Sequence, residues 1–559
     1  MRPNRMPVVL MLALVMTLVL SACTAAPAVP GVQSTSLAAE QVLRIHQDIE
    51  PKIDPAWNTD NSRHRTVIEA VFEPLVRLSI DGEIMPGVAE SWTHSEDYTE
   101  WTFTLGEGLA FSDGSPLTSA DVLYTYTRAL TLLPADQFEN QGQTRALSIA
   151  AEQLLRDVVG AADVISGAAS APPEDAITAP DERTVVIRLA NPRPDFLQFA
   201  GHPGLSIVQK ANVEASTRDA IWWYKPVASG PFQIESWESG QKIVLVPNEH
   251  YHGTQPTLTR IEMTIIGDPQ TSLVLFEDNK LDAVKLALND VPNIRGQLVE
   301  QMVYVDDLQS TGLLINPIPP LDDIHVVRAL ALAINRSAIA SQVLEGTVRP
   351  ATSFTPSYLP GYQLEGYTPI PFDAEAAVAE LALSKYTPEE ITVRIWAPSA
   401  RGGLYPGTRT IVSQAVAQMW QDFLGINVQL SESLSPADAL ETEAIHVIYN
   451  TQGANHTGPG AFIDRWVDYH TFASQANNAN FHSIDVPGLF ELADAIHGAG
   501  PDEVWGLVLE AENLLKDYPQ WIPLHYSRTY WLVKPWVANE TIGRFWDWPS
   551  LNEVQILEH

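Results

Sequence analysis

Cys23 is the single thiol in a chain of 559 residues, and it closes the tetrapeptide Leu20-Ser21-Ala22-Cys23. Ahead of it lie Arg2 and Arg5 and an apolar run from Met6 to Leu20. A basic start, a short apolar stretch and small residues before a cut describe a secretory signal peptide, and about 15 apolar residues is short for a membrane span. A thiol placed just after those small residues becomes the new N-terminus and accepts acyl chains, each buried methylene adding about 0.8 kcal/mol of membrane affinity. The layout predicts a signal peptide over 1–22, lipidation at Cys23, and a flexible tether over 23–39, rich in Ala, Pro, Ser and Thr.

Other chemistries find less support. His250 and His252 flank one residue and His456 lies far off, but two ligands do not complete a metal site and no cysteine cluster supports zinc. The chain has no Gly-x-Ser-x-Gly elbow, no His-Glu-x-x-His and no phosphate loop. Paired acids abound among 68 carboxylates, so their presence marks no glycosidase. The residues read as a protein that is not an enzyme and needs no metal or cofactor. A secreted hydrolase is the competing class, with turnover of a bound solute as the discriminating observation.

Charge narrows the partners. Lys and Arg number 33 against 68 Asp and Glu, for a formal net charge of −35. Nucleic acid is an unsuitable partner, because neutralising phosphates requires clustered basic residues. The acidic surface reads first as a solvating one. With no second cysteine, stability must come from large cores, and a chain this long divides into two or three domains.

The elements that must position any site follow from the pattern. Asp81-Gly82 predicts a tight hairpin turn between Val76–Ile80 and Glu83–Met85, and Trp101–Leu105 alternates as a half-buried strand. Thr118 with Asp121 three residues on predicts a capped helix through about Leu130. Residues 160–182 read as a loop, followed by strands at Thr184–Leu189, Phe232–Trp237 and Lys242–Pro247. Helical periodicity returns at Val326–Ile334, Ala338–Leu344 and Ala374–Leu383 behind Asp373. The strand Ile391–Trp396, the helix Thr410–Phe423 ended by Gly425, and the strand Ile426–Leu430 make a β-α-β unit, hence partly parallel sheet. No apolar stretch of 18 residues follows Cys23, so the pattern predicts a surface protein and not a channel.

Several blocks resemble the signature of family-5 extracellular solute-binding proteins, the oligopeptide, dipeptide and nickel receptors of ABC importers. They are Val71-Phe72-Glu73-Pro74-Leu75-Val76, Gly82 through Trp92, and Phe111 through Val122. Further blocks are Ser229-Gly230-Pro231-Phe232, the Ala-Leu-x-x-Ala-Ile-Asn-Arg pattern ending at Arg336, and Gly425-Ile426-Asn427-Val428. Ile522 through Tyr526 and Leu532 through Val537 look like the C-terminal stretch of the oligopeptide-binding branch.

That resemblance implies a class II α/β periplasmic-binding-protein fold, two discontinuous lobes joined by a hinge, with an additional domain. Lobe I would comprise 40–70, 184–266 and 527–559, the extra domain 71–183, and lobe II 267–526, with hinge crossings near 266 and 527. It also implies a monomeric receptor outside the cytoplasm, held on the outer face of the membrane through its lipid, that closes on a ligand and hands it to an ABC permease and ATPase complex. Peptide-binding members carry an Asp after a Trp-x-Ala stretch that pairs with the ligand's α-ammonium. Here that stretch resembles Thr451-Gln452-Gly453-Ala454-Asn455-His456, placing Asn455 at the aspartate, Gln452 at the tryptophan, and Tyr449 where some members hold a basic residue for the ligand carboxylate. The implied ligand-binding set is Tyr449, Gln452, Gly453, Ala454 and Asn455. Asn accepts a hydrogen bond from an ammonium without neutralising it. Oligopeptide is the leading ligand, a neutral oligosaccharide the alternative, and a nickel complex a remote one.

Overall fold

The structure is a computed structural model, and it describes residues 36–559 apart from 59–61, 80–81, 141–145, 218–219, 398–406, 434–443, 455, 465, 468–485 and 539–550. Cys23 and Asn455 therefore lie outside the described residues, as do the signal peptide and most of the tether.

An eleven-stranded sheet runs through the molecule. One end is parallel: Thr392–Trp396 pairs in register with Asn427–Ser431 on one side and with Val447–Gly453 on the other. The connection between the first two is the helix Thr408–Leu424, so the β-α-β unit read from the sequence is present. That helix buries Val412, Val416 and Trp420 against the sheet, and the Trp420 indole donates to the Leu330 carbonyl at 3.0 Å. Gly425 ends it at φ +69°, a left-handed conformation that a side chain would strain.

The opposite end is mixed, with Val42–Gln47 parallel to Arg260–Ile265, which pairs antiparallel with Lys242–Pro247, and that in turn with Phe232–Glu238. Two long strands join the ends. Met302–Ile315 pairs with Val447–Gly453 and with Trp521–Val533. The latter places Ile522, Leu524, Tyr530 and Leu532 in a core shared with Leu313, Val447 and Trp420, and turns Trp531 and Val533 on its other face into a separate core around Leu43, Ile45 and Met263. The position 526/527, where the sequence reading divides the lobes, thus falls inside one continuous strand.

A four-stranded antiparallel sheet stands apart, in the order Ala89–His94, Glu100–Leu105, Thr184–Arg188, Ile177–Asp181. The helix Ser119–Ala129 covers it, opened by the expected capping box of Thr118 and Asp121. Its core takes in Phe103, Val185, Phe196, Phe199 and Ile207, so the sheet crosses the 183/184 boundary read from the resemblance. Residues 160–182 are not a plain loop, since they hold the short helix Ala161–Ile165 and the strand Ile177–Asp181. A fourth core gathers Phe354, Phe462, Ile463, Ile496 and Trp505. No described helix is long and apolar enough to cross a membrane.

Candidate functional site

The candidate residues lie on and just beyond Val447–Gly453, a strand with neighbours on both sides. Tyr449 is buried, and its hydroxyl lies 2.8 Å from His525 Nε2. Its side chain belongs to the core around Trp420, which commits the hydroxyl inside the body that carries the strand. Gln452 is buried opposite Ser310, and Gly453 lies opposite Gln309. The Ala454 amide donates to the Leu308 carbonyl at 3.0 Å. On the Tyr449 face a hydroxyl ladder crosses three strands: Thr311 Oγ1 lies 2.9 Å from Thr451 Oγ1 and 3.2 Å from Ser527 Oγ.

Position 455 is bracketed by two fixed residues. Ala454 is held as described, and the His456 ring is buried 4.5 Å from the Phe199 ring, a residue of the body with the four-stranded sheet. The Gly458 amide donates to His456 Nδ1 at 3.1 Å, so the ring proton sits on Nε2, which faces Asp464 Oδ2 at 2.9 Å. Thr457 donates to Gln198 across the same boundary. A side chain at Gly82 would come within 3.3 Å of Pro360 and 3.6 Å of Thr457, so the hairpin turn also abuts this region.

Electrostatics concentrate at Asp464. Burial opposes its ionisation, yet His497, the hydrogen bonds from His456 and His497, and Arg156 outweigh that and hold its carboxyl well below the usual range. Nearby, Arg193 Nε and Nη2 donate to Asp195 at 2.9 and 3.1 Å. These are groups that bind and orient through charge and hydrogen bonds, and they contain no nucleophile aligned with a base.

The metal reading of the histidines does not gain ground. His252 Nε2 lies 2.5 Å from Glu73 Oε2, and the Tyr251 hydroxyl donates to Glu73 Oε1 at 2.8 Å, a structural tie between segments far apart in sequence. Among the described residues no group of three or more His, Cys, Asp or Glu is arranged to hold a metal ion.

Sequence reasoning missed Arg409. From the first turn of Thr408–Leu424 its Nε donates to the Tyr449 carbonyl at 3.3 Å, and its guanidinium lies 4.7 Å from the centre of the Trp396 ring. A cation thus reaches the backbone of Tyr449 from a segment 40 residues away. It also missed Arg156, Arg193, Asp464 and His497, which come from separate elements and leave no spacing to read.

Comparison with known proteins bears on this arrangement. A model of the middle region of bacterial extracellular solute-binding proteins, family 5, matches residues 83–482. The Escherichia coli protein named as a probable deoxycholate-binding periplasmic protein, YgiS, is 26% identical over 94% of this chain and 95% of its own. The periplasmic oligopeptide-binding protein OppA of Salmonella typhimurium is 26% identical over 93% of both chains. Among solved structures, the Escherichia coli murein tripeptide binding protein MppA superposes with a TM-score of 0.74 at 25% identity, covering 94% of this chain and 100% of that one. Haemophilus influenzae OppA in complex with the peptide RPPGFSPFR superposes with a TM-score of 0.71 at 21% identity, over 93% of this chain and 100% of that one.

Proposed function

The chain belongs to family 5 of the bacterial extracellular solute-binding proteins, and from that membership we propose that it captures oligopeptides in a cleft between its two lobes and delivers them to an ABC importer. It is a solute receptor of the extracytoplasmic side and not an enzyme. The observation that carries the peptide reading is full-length similarity to receptors named for oligopeptide and murein peptide. The strand Val447–Gly453 supports it by delivering the candidate segment to the boundary between two bodies.

The assignment of 40–70, 184–266 and 527–559 to one lobe, 71–183 to an extra domain and 267–526 to the other lobe stands as part of this proposal. So does the hinge. Met302–Ile315 and Trp521–Val533 pair along most of their length, and that pairing shifts register between Asp306 and Ser310. A bulge is a local departure from ladder geometry and a natural place for strands to bend. Arg528 Nε holds Asp306 Oδ1 at 2.7 Å beside it, fixing the two strands to each other while the ends move. A ligand that contacts both bodies binds the closed arrangement better and draws the population toward it.

A neutral oligosaccharide is the second reading, favoured by one feature: Asn455 stands where the resemblance places an aspartate. A buried ammonium needs a compensating anion, and losing one partner of such a pair costs about 3–5 kcal/mol. Lipidation at Cys23, tethering the receptor to the outer face of the membrane, completes the proposal.

Small-angle scattering tests capture by closure. With a saturating peptide whose binding calorimetry has established, the radius of gyration should fall. An unchanged value at saturation would remove the hinge.

A further inference from the structure

The body with the four-stranded sheet and the body around Phe462 have separate apolar cores, and where segment 193–202 meets segment 456–464 Thr457 donates to Gln198, Arg193 faces Asp464, and the Phe199 ring lies against His456. The Asp464 carboxylate is the centre. It takes His456 Nε2 at 2.9 Å and His497 Nε2 from its own body, and across the boundary it faces Arg156 Nη2 at 3.7 Å and Arg193 Nη2 at 3.9 Å. Arg193 is in turn gripped within its own body by Asp195 and by Asp157 at 2.5 Å, and its guanidinium stacks 4.5 Å from the centre of the Phe199 ring. The side chains of Arg193, His456 and Asp464 are 1%, 1% and 4% exposed.

Each half of this cluster keeps hydrogen-bond partners of its own when the halves are apart. When they part, Arg193 keeps its two carboxylates and Asp464 keeps its two imidazoles, so water has only the outward faces to resolvate. Neither half must reorganise to meet again, which lowers the cost of closing. An apolar seam would be costly to open, whereas a polar one trades protein contacts for water. Once closed, removing one partner leaves buried charge uncompensated, so the closed arrangement is the one a mutation penalises.

We propose that the cluster of Asp464, His456 and His497 against Arg156 and Arg193 is an interlobe latch that sets how often the receptor opens when it carries no ligand. The latch acts between the bodies, so its residues are positioning residues and need not touch solute.

Electron spin distance measurement tests this on full-length protein freed of bound solute by unfolding and refolding. Labels go on Glu107→Cys and Asp502→Cys, exposed positions on the two bodies, in a Cys23→Ala background. Asp464→Asn keeps the shape and removes the charge, and Arg156→Gln removes a cross-boundary cation from the other side. Each should enrich the longer-distance component at least tenfold over the unsubstituted latch, and the double variant should go little further than either alone. Should Asp464→Asn fail to fold, Arg156→Gln carries the test alone. Melting temperatures lowered with an unchanged distance distribution would reduce the cluster to packing and overturn the latch. Because no ligand is present, neither result depends on peptide being the cargo.

Discussion

His525 lies 3% exposed beneath the candidate strand, its Nε2 against the Tyr449 hydroxyl. Burial pushes its pKa down to about 4, from an ordinary value of 6.5. A folded-state pKa below the unfolded one means that the unfolded chain binds the proton more readily. The stabilisation is therefore whole above pH 6.5 and drains away as pH falls toward 4. A shift of this size is worth on the order of 3 kcal/mol. Denaturant unfolding at pH 7 and pH 4.5 should show His525→Gln losing less stability on acidification than the natural chain. Parallel declines would mean that other groups govern acid sensitivity. Asn455 carries the prediction closest to ligand choice. If peptides bind by their amino end at this position, Asn455→Asp should tighten peptides with a free amino terminus and leave N-acetylated versions unchanged. If the cargo is a neutral saccharide, the same change buries an unpaired carboxylate and should weaken binding by about 1–3 kcal/mol. Calorimetry against the three ligands separates these outcomes, and equal affinities throughout would remove Asn455 from the site.

Elements with a strong local signature were legible in the sequence. The capping box at Thr118 and Asp121, the Asp373 cap and the Gly425 stop each pinned a helix end, because each is decided within a few residues. The two long strands were not legible. Met302–Ile315 carries Asp306 and Asp307 at its centre, and Trp521–Val533 carries Pro523 and Arg528. Both are buried on both faces along much of their length, so alternation, the usual mark of a strand, is lost. The helix Ala161–Ile165 is too short for its periodicity to show. The candidate segment was legible only through family resemblance, and the Asp464 cluster, assembled from four separated segments, was not legible at all. Gly312 gives the strand level a direct test. A Cβ there would lie 2.5 Å from the Ile522 carbonyl and 2.8 Å from the Trp521 ring, with backbone on one side leaving no room to yield. Gly312→Ala should cost about 1–3 kcal/mol through overpacking, read from the denaturation midpoint. An unchanged midpoint would mean that the two central strands are not held this closely.

At the scale of the whole molecule, one sheet contributes residues to three cores, and the core under the four-stranded sheet is separate from them. On the proposed hinge, continuity along the sheet would keep the lobes joined while the latch let them part. The proposed anchor would add a second constraint, since a lipidated receptor searches for solute beside its permease. Cys23→Ala should release the protein from membranes without changing its melting temperature, because the thiol precedes the described fold. Unaltered partitioning into detergent would contradict acylation. The central claim, that this receptor carries peptide, is tested most directly by native mass spectrometry of protein purified from its own compartment without refolding. The account predicts bound species that fragment on release as short peptides. Released masses that resolve instead as saccharide or another non-peptide solute would contradict it.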